Sequence, residues 1–269
     1  MKGYNQKERE ILEYVQQNHS MTTAEAMELT GASQSTIRRI FIKLQNDGMV
    51  ERVFGGVKEI QKVESYHYHE TVITNVDQKR EIGELAARMV NSNEFIYIDC
   101  GTTTKEMCIA LAKRIKNGEV QNLIVVTNSV LNLDILAPYC EIIIVGGAYA
   151  YDRKDVSGDL SELFLEQFRF HKSFLGTDGF SFDQGFTSTS TAVSQLGNKV
   201  SRRSEMSLVL MDASKIGRVA VGITLNLGNV DGIITDSSIS KGDRMRFAEH
   251  HMKVFIKKEK GEDSDSYHS

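Results

Sequence analysis

The sequence has few cysteines, no long hydrophobic run and no excess of basic residues, and each absence excludes a class of protein. Its three cysteines, Cys100, Cys108 and Cys140, are far apart and form no C-x-x-C pair, so neither a disulfide framework nor a zinc site is indicated. No apolar stretch approaches the roughly eighteen residues of a membrane span. The N-terminal segment MKGYNQKERE lacks the hydrophobic centre of a signal peptide. We therefore expect a cytoplasmic protein.

The overall composition is that of a globular protein. Hydrophobic residues make up 41% and charged residues 25% of 269 residues, enough for one large or two ordinary domains. The formal net charge of -4 argues against a protein that coats nucleic acid along its whole surface. It leaves room for a small, local basic face.

Three short helices are predicted between Asn5 and about Gly56, because apolar residues recur there at helical spacing. The third helix is the clearest, with Ile37, Phe41 and Leu44 at i, i+4 and i+7. Residues suited to capping or separating the second and third helices are Thr22, Thr23, Gly31, Ser33 and Ser35. Helix, helix, tight turn and helix in this order predict a helix-turn-helix motif.

A two-stranded hairpin is predicted directly after the third helix. Asp47-Gly48 is followed by the alternating run MVERVF, the glycine pair Gly55-Gly56 and the run VKEI. A hairpin in this position is the wing of a winged-helix domain. We assign residues 1–58 to a winged helix-turn-helix DNA-binding domain and residues 59–75, which show no clean period, to a linker.

The third helix has the residue types that contact DNA in the major groove. Short polar side chains near its N-terminus can approach base edges, and cations can engage phosphates or guanine. An ordinary solvated helix face is the alternative, but the order of the surrounding elements favours DNA binding. The predicted DNA-binding residues are Gln34, Ser35, Thr36, Arg38, Arg39 and Lys43 on the helix and Arg52 on the wing.

Beyond the linker, continuous apolar strands alternate with helices. Segments such as FIYIDC, NLIVVTN and MSLVLMDAS are separated by amphipathic stretches. This alternation predicts an α/β domain over residues 76–258 with a doubly wound, largely parallel sheet. Residues 259–269 form a polar tail.

Polar loops follow five of the predicted strands, where open parallel sheets place their ligands. The loop from Gly101 to Thr104 offers a glycine, three hydroxyls and the free N–H groups of a helix start, which can hold a phosphate. It lacks a Walker lysine, so nucleotide hydrolysis is not indicated. Each loop alone is more often a cap or a turn, but five together favour a ligand site. The predicted ligand-binding residues are Asp99, Gly101, Thr102, Thr103, Thr104, Asn128, Gly146, Gly147, Asp178, Gly179 and Lys215.

Two sets of motifs resemble the DeoR family of bacterial transcriptional regulators. The N-terminal set is STIRR, then L-x-x-D-G, then V-E-R-V-F-G-G; the later set is D-x-G-T-T, T-N-S, G-G, G-x-D-G, D-x-S-K and I-T-D. The resemblance extends from about Gln6 to Asp236. Ile40 departs from it, since the family pattern has aspartate there, and we expect Ile40 to lie beside the DNA-binding face and to alter base preference. The family's linker arginine is not evident near Glu70.

The resemblance implies a function for both domains. It implies operator DNA as one partner and a phosphorylated sugar as effector, bound by a sensor fold similar to ribose-5-phosphate isomerase. Phosphate contacts are implied at Gly101 to Thr104, and sugar contacts at Asp99, Asn128, Asp178 and Lys215. A homo-oligomer, dimer or tetramer, is also implied. We therefore expect a regulator, in particular a repressor, of carbohydrate metabolism genes, with no cofactor.

Other functions are open on the sequence alone. One is a sugar-phosphate isomerase fused to a DNA-binding head, with Asp178 as base and Lys215 as electrophile. Another is a second domain that serves only to form oligomers. The pairs His67/His69, beside Glu70, and His250/His251 invite a metal site, but without a third ligand at a telling distance we expect none.

Overall fold

The computed structural model describes residues 4–18, 20–47, 49–59 and 68–257. The chain divides into two compact units, Met1–Lys62 and Val63–Ser269. Residues 60–67 of the predicted linker, which include His67, lie outside the described residues, as do Gly48 and the predicted tail 259–269.

The first unit is a winged helix-turn-helix, as predicted. Its elements are α1 (Gln6–Asn18), β1 (Ser20–Thr22), α2 (Thr23–Thr30), α3 (Gln34–Asn46), β2 (Val50–Val53) and β3 (Gly56–Glu59). The predicted hairpin is the antiparallel pair β2–β3. The short strand β1, which the sequence analysis missed, pairs with the outer side of β3, so the sheet order is β1-β3-β2.

Capping residues fix where the helices of this unit begin and end. Thr22 forms a capping box with Glu25 at the start of α2, and Gly31 ends α2 in the left-handed conformation with φ of 61°. Ser33 occupies the cap position of α3 but makes no side-chain bond to the helix backbone. Its hydroxyl bonds instead to the hydroxyls of Ser35 and Thr36, at 3.1 Å and 3.0 Å.

The core of the first unit corrects the expectation for Ile40. Ile37, Phe41 and Leu44 are buried against α1 and the sheet, as their spacing predicts, and Ile40 is only 7% exposed within the same cluster. An isoleucine here adds to the apolar face of α3, so it does not lie on the DNA-binding face. The departure from the family pattern therefore changes packing rather than base contacts.

The second unit contains α4 to α10 and β4 to β15. The helices are α4 (Tyr68–Thr71), α5 (Val76–Arg88), α6 (Thr102–Lys116), α7 (Val130–Leu136), α8 (Asp159–Leu165), α9 (Thr191–Ser201) and α10 (Lys241–Glu249). The strands are β4 (Phe95–Ile98), β5 (Ile124–Thr127), β6 (Glu141–Ile144), β7 (Ala148–Ala150), β8 (Asp155–Ser157), β9 (Phe170–Gly176), β10 (Gly179–Ser181), β11 (Gly185–Ser188), β12 (Ser204–Leu210), β13 (Gly222–Leu225), β14 (Gly232–Ile234) and β15 (Lys253–Phe255).

Seven of the described strands form one parallel sheet in the order β15-β14-β12-β9-β4-β5-β6. From β4 the chain adds β5 and β6 on one side, then crosses to β9 and adds the remaining strands on the other. The strand order therefore reverses between β4 and β9, where doubly wound sheets open a crevice at the carboxyl ends of their strands. The predicted doubly wound, parallel sheet is confirmed.

Apolar side chains cover both faces of this sheet. One cluster includes Ile82 of α5 and Met107 of α6, and the other includes Leu196 of α9 and Phe247 of α10. Two small antiparallel pieces, the hairpin β7–β8 and the sheet β10-β11-β13, were not predicted. None of the described helices is long and apolar enough to cross a membrane.

Candidate nucleic-acid interface and effector cavity

One face of α3 presents the predicted polar and cationic side chains to solvent. Gln34, Ser35, Arg38 and Arg39 are exposed, and Thr36 is half-buried. This follows from the helical spacing of the apolar residues, which turns the opposite face toward the core. An exposed row of short polar groups and two guanidinium groups is suited to base edges and phosphates.

Lys43 has a structural contact that the sequence did not reveal. Its ammonium group lies 2.8 Å and 2.9 Å from the two carboxylate oxygens of Glu8, whose side chain is 5% exposed. This pair joins α1 to α3. Lys43 remains about half-exposed, but it has to leave Glu8 to bind a phosphate, and it is therefore a weaker candidate than the two arginines.

The tip of the wing exposes an aromatic residue that the sequence analysis missed. Phe54 is fully exposed, at 107% of its reference area, and lies between the exposed residues Val53 and Gly55. Gly55 has φ of 84°, and its carbonyl accepts hydrogen bonds from the backbone N–H and hydroxyl of Thr23, at 2.8 Å and 2.9 Å. The turn is thus fixed to the start of α2 while Phe54 contacts water.

A small cavity of about 40 Å³ lies at the carboxyl edge of the seven-stranded sheet. Seven of the eleven predicted ligand residues line it: Asp99, Gly101, Thr102, Thr103, Thr104, Asp178 and Lys215. The structure adds lining residues that the sequence analysis missed, chiefly Thr71, Lys79 and Arg153. The cavity thus brings together strand ends from both sides of the reversal in strand order.

The other four predicted residues do not line the cavity. Asn128 is fully buried, and neither polar atom of its amide has a hydrogen-bond partner among the described residues. A Cβ on Gly147 would lie 2.1 Å from the Ser161 hydroxyl, and one on Gly179 would lie 2.6 Å from the Arg218 carbonyl oxygen. The Gly146 carbonyl accepts a hydrogen bond from Ser161. Close packing therefore accounts for Gly147 and Gly179 without a ligand.

The start of α6 gives the cavity its phosphate-sized cradle. Gly101 precedes the helix with φ of 130°, a conformation that favours glycine, and α6 begins at Thr102. The first N–H groups of a helix have no partner within it and carry partial positive charge. Thr103 adds a half-buried hydroxyl, whereas the Thr104 hydroxyl donates to the Gly101 carbonyl at 3.1 Å.

Asp99 is a buried carboxyl at the end of β4. Burial raises its pKa to about 6, although the N–H groups of Gly176 and Cys100 donate hydrogen bonds to it. It can therefore accept hydrogen bonds from ligand hydroxyl groups and exchange a proton slightly below neutral pH.

Arg153 lies between two carboxylates of the cavity wall. Its guanidinium group is 2.9 Å from Asp155 and 3.5 Å from Asp178. Asp178 also accepts hydrogen bonds from the N–H and hydroxyl of Thr189, at 2.8 Å and 2.9 Å. Although burial opposes it, Arg153 and Thr189 hold the pKa of Asp178 below its usual value. Asp178 is thus committed to protein partners, which leaves it poorly placed to act as a catalytic base.

Lys79 is a buried cation without a carboxylate partner at salt-bridge distance among the described residues. Its ammonium group donates to the backbone carbonyls of Thr71 and Thr74, at 2.5 Å and 2.7 Å. Burial lowers its pKa to about 8. Together with Lys215 and Arg153 it makes the cavity suited to a small anion.

The histidine pairs give no metal centre among the residues the structure describes. His69 and Glu70 are exposed, while His67 is not described. His250 stacks on Phe182 with ring centroids 5.4 Å apart.

A winged helix with an exposed cationic helix, joined to an α/β unit with an anion-sized cavity, defines a ligand-responsive DNA-binding regulator. Two family models match the chain: the DeoR-like helix-turn-helix domain over residues 8–63 and the DeoR C-terminal sensor domain over residues 74–237. The chain belongs to the DeoR family of transcriptional regulators.

Related regulators cover almost the whole chain, whereas a solved isomerase structure covers about half of it. The regulator FruR of Bacillus subtilis is 28% identical over 92% of this chain and 95% of its own length. A protein of Escherichia coli O157:H7, named a putative aga operon transcriptional repressor, is 24% identical over 88% of each chain. Ribose 5-phosphate isomerase A from Methanocaldococcus jannaschii matches 53% of this chain and 55% of its own, with 17% identity and a TM-score of 0.41. That last likeness is too weak to support an inference about function.

Proposed function

We propose that this regulator represses carbohydrate metabolism genes and that a phosphorylated sugar bound in the cavity controls its binding to operator DNA. The observation that carries the proposal is a cavity that is lined by the start of α6 together with two cationic side chains, Lys79 and Lys215. Such a site favours a ligand that carries phosphate over an uncharged sugar. The name of the aga operon repressor supports the direction of control.

The DNA face in this proposal is the exposed side of α3 together with the wing. Gln34, Ser35 and Arg38 contact base edges, while Arg39 and Arg52 engage base edges or phosphates. Phe54 joins them as an apolar contact beyond the major groove, since exposed aromatic wedges are used in minor grooves. Thr36 and Lys43 have secondary roles because of their contacts with Ser33 and Glu8.

The effector in this proposal binds with its phosphate at Gly101 to Thr104. Lys79 and Lys215 neutralise the phosphate charge, and Asp99 accepts hydrogen bonds from sugar hydroxyl groups. Arg153 orients the wall carboxylates Asp155 and Asp178. We further propose a homo-oligomer, because paired winged helices bind repeated or palindromic half-sites.

One experiment tests both halves of the proposal. A DNA duplex that the purified protein binds is first selected from a random-sequence pool. The affinity of the protein for that duplex is then measured in the presence of each compound of a panel: pentose and hexose phosphates, the matched free sugars and inorganic phosphate. We expect at least one phosphorylated sugar to weaken DNA binding and to raise the melting temperature, while its free sugar does neither. Thr103→Val, which removes one cradle hydroxyl at nearly constant volume, serves as the matched variant with reduced response.

Equal effects of a sugar and its phosphate would contradict the phosphate assignment. If no compound in the panel changes DNA affinity or melting temperature, and Thr103→Val matches the wild type in both measurements, the second unit would be favoured as a domain without an effector.

A further inference from the structure

The segment 68–75, here called the strap, is held against the cavity by hydrogen bonds at three places. The backbone N–H of Tyr68 donates to the Asp152 carbonyl at 2.9 Å. Lys79 donates to two strap carbonyls, as described above. The side-chain amide of Asn75 donates to Asp212 at 3.0 Å and to Ser214 at 3.1 Å.

Each anchor of the strap belongs to, or adjoins, a residue that lines the cavity. Lys79 lines it directly, Asp152 precedes Arg153, and Ser214 precedes Lys215. Thr71 of the strap is itself a lining residue. The strap therefore closes the same space in which we place the effector.

The cavity is small for a sugar phosphate, which favours a movement of part of its wall when the ligand binds. Ligand cavities for small molecules usually enclose about 300 to 1,000 Å³, whereas this one encloses about 40 Å³. Most of the wall is formed by strand ends and by α6, which the parallel sheet and two apolar clusters hold in place. The strap is attached by hydrogen bonds and, at its N-terminal end, by the buried side chain of Tyr68. Its middle, where Ile73 and Thr74 are exposed, is the part of the wall that moves at the lowest cost.

A bound phosphate also competes for the central anchor of the strap. The Lys79 ammonium group now serves two neutral backbone carbonyls. Charge-assisted bonds to phosphate are stronger than bonds to neutral carbonyls. An anion at the start of α6 therefore draws Lys79 from Thr71 and Thr74, and the strap loses a fastening as the cavity fills.

We propose that the strap is the coupling element of this regulator: effector binding displaces it, and its displacement changes the affinity of the protein for DNA. This inference rests on the proposed function. Along the chain, the strap is the first described segment after the winged-helix unit, separated from β3 only by residues 60–67. A ligand shifts such an equilibrium by its different affinities for the docked and released arrangements.

Asn75→Gly tests the coupling without touching the cavity. Asn75 is left-handed, with φ of 51°, so glycine keeps the backbone and removes only the side-chain anchor. The matched control is Asn122→Gly, at φ of 53°, whose amide donates to Asn93 at 3.1 Å. Asn122 precedes β5 and thus lies at the opposite, amino edge of the sheet.

Without any effector, we expect amide hydrogen exchange in residues 68–75 of Asn75→Gly to accelerate about tenfold, which corresponds to the loss of about two hydrogen bonds. Its affinity for the selected duplex should weaken at least about threefold, toward the value of the effector-saturated wild type. If the panel supplies a binding sugar phosphate, that compound should bind the variant more tightly, because less of its binding energy is used to release the strap. Asn122→Gly should match the wild type in all three measurements.

Faster exchange in the strap with DNA affinity unchanged within about twofold would overturn the proposal. Asn75→Asp, which tolerates the same backbone and places a carboxylate beside Asp212, is a second variant that should give the same result if Asn75→Gly folds poorly. Failure of every sugar phosphate to bind would refute the proposed effector, but the comparison of strap exchange with DNA affinity would still decide on the coupling.

Discussion

The two units of this protein place positive charge in opposite environments. In the winged helix, Arg38 and Arg39 are exposed on the outer face of α3. In the sensor unit, Lys79 is 3% exposed, and Arg153 is enclosed by two carboxylates. DNA is a long anion that exposed cations engage by releasing counterions, whereas a small anion gains most from charges withdrawn from water. The placement of cations thus supports the proposal that the first unit binds DNA and the second a small anion.

The largest expected effect is on DNA affinity, and it distinguishes the exposed cations of α3 from the enclosed cations of the sensor unit. Arg38→Ala combined with Arg39→Ala should weaken binding to the selected duplex by about 100-fold or more and reduce its salt dependence, since each such contact contributes about 1 to 3 kcal/mol. Thermal stabilisation by the effective sugar phosphate should be unchanged. Arg88→Ala, at the exposed end of α5, is the control. Tight DNA binding by the double variant would remove α3 from the interface.

The next prediction concerns stability in the sensor unit alone. Gly147→Ala places a Cβ 2.1 Å from the Ser161 hydroxyl and 2.8 Å from the Ser157 carbonyl oxygen. We expect a loss of about 2 to 3 kcal/mol in unfolding free energy, seen as a melting transition lowered by about 5 to 10 °C. Gly146→Ala is the control, because its Cβ would meet no atom within 4 Å. An unchanged transition in Gly147→Ala would contradict the packing explanation of this glycine.

The pH dependence of effector binding should distinguish the two environments further. The pKa of Lys79 is about 8, so its positive charge is lost as pH rises through that value, while a phosphate is already fully ionised above about pH 7. Effector affinity should fall about fivefold between pH 7.5 and 9. Arginine stays charged there, so the contacts of α3 with DNA should persist. Loss of the Lys79 charge loosens the central anchor of the strap, so effector-free DNA affinity should weaken in the same direction as in Asn75→Gly.

Lys79→Met is the control for this titration. The variant should bind the effector more weakly, but its affinity should no longer decline between pH 7.5 and 9. A decline that persists in Lys79→Met would assign the titration to another group.

The smallest effect is expected at the wing. Phe54 is fully exposed within the part of the chain that the structure describes, so Phe54→Ala should fold normally. It should lose about fivefold in DNA affinity, as partial burial of a phenyl ring against DNA implies. The chain has no tryptophan and nine tyrosines, so Phe54→Trp introduces a single tryptophan, which can be excited selectively over the tyrosines. Its emission should be quenched by the selected duplex, whereas that of Leu160→Trp, exposed on α8, should not. Unquenched Phe54→Trp would place the wing tip away from DNA.

Periodicity and turn residues were enough to predict most of the fold. Ile37, Phe41 and Leu44 predicted the buried side of α3, and the alternation of apolar strands with helices predicted the parallel sheet. The expectation for Ile40 failed because it came from the family motif, which suggested a position beside the DNA-binding face. Its spacing from Phe41 and Leu44 places it on the buried side of α3.

The candidate site was less predictable, since it depends on contacts between distant segments. Lys79 lies among polar residues at the start of α5, and its position in the cavity wall depends on the carbonyls of Thr71 and Thr74. Arg153 lies in the polar segment YDRKD, which has the composition of an exposed turn. Conversely, Gly147 follows a strand like the other loops, but its need for close packing becomes visible only when Ser161 is placed beside it.

The pairing of β4 with β9 has a consequence for synthesis of the chain. Ile96 of β4 pairs with Lys172 of β9, so β4 gains its second neighbour only after the intervening helices and strands have been made. The contacts of the winged helix are local and should form early, whereas such long-range contacts form slowly. During translation, β4 therefore presents an apolar, unpaired edge for longer than any part of the winged helix, and this is the stage at which chaperones would protect the nascent protein.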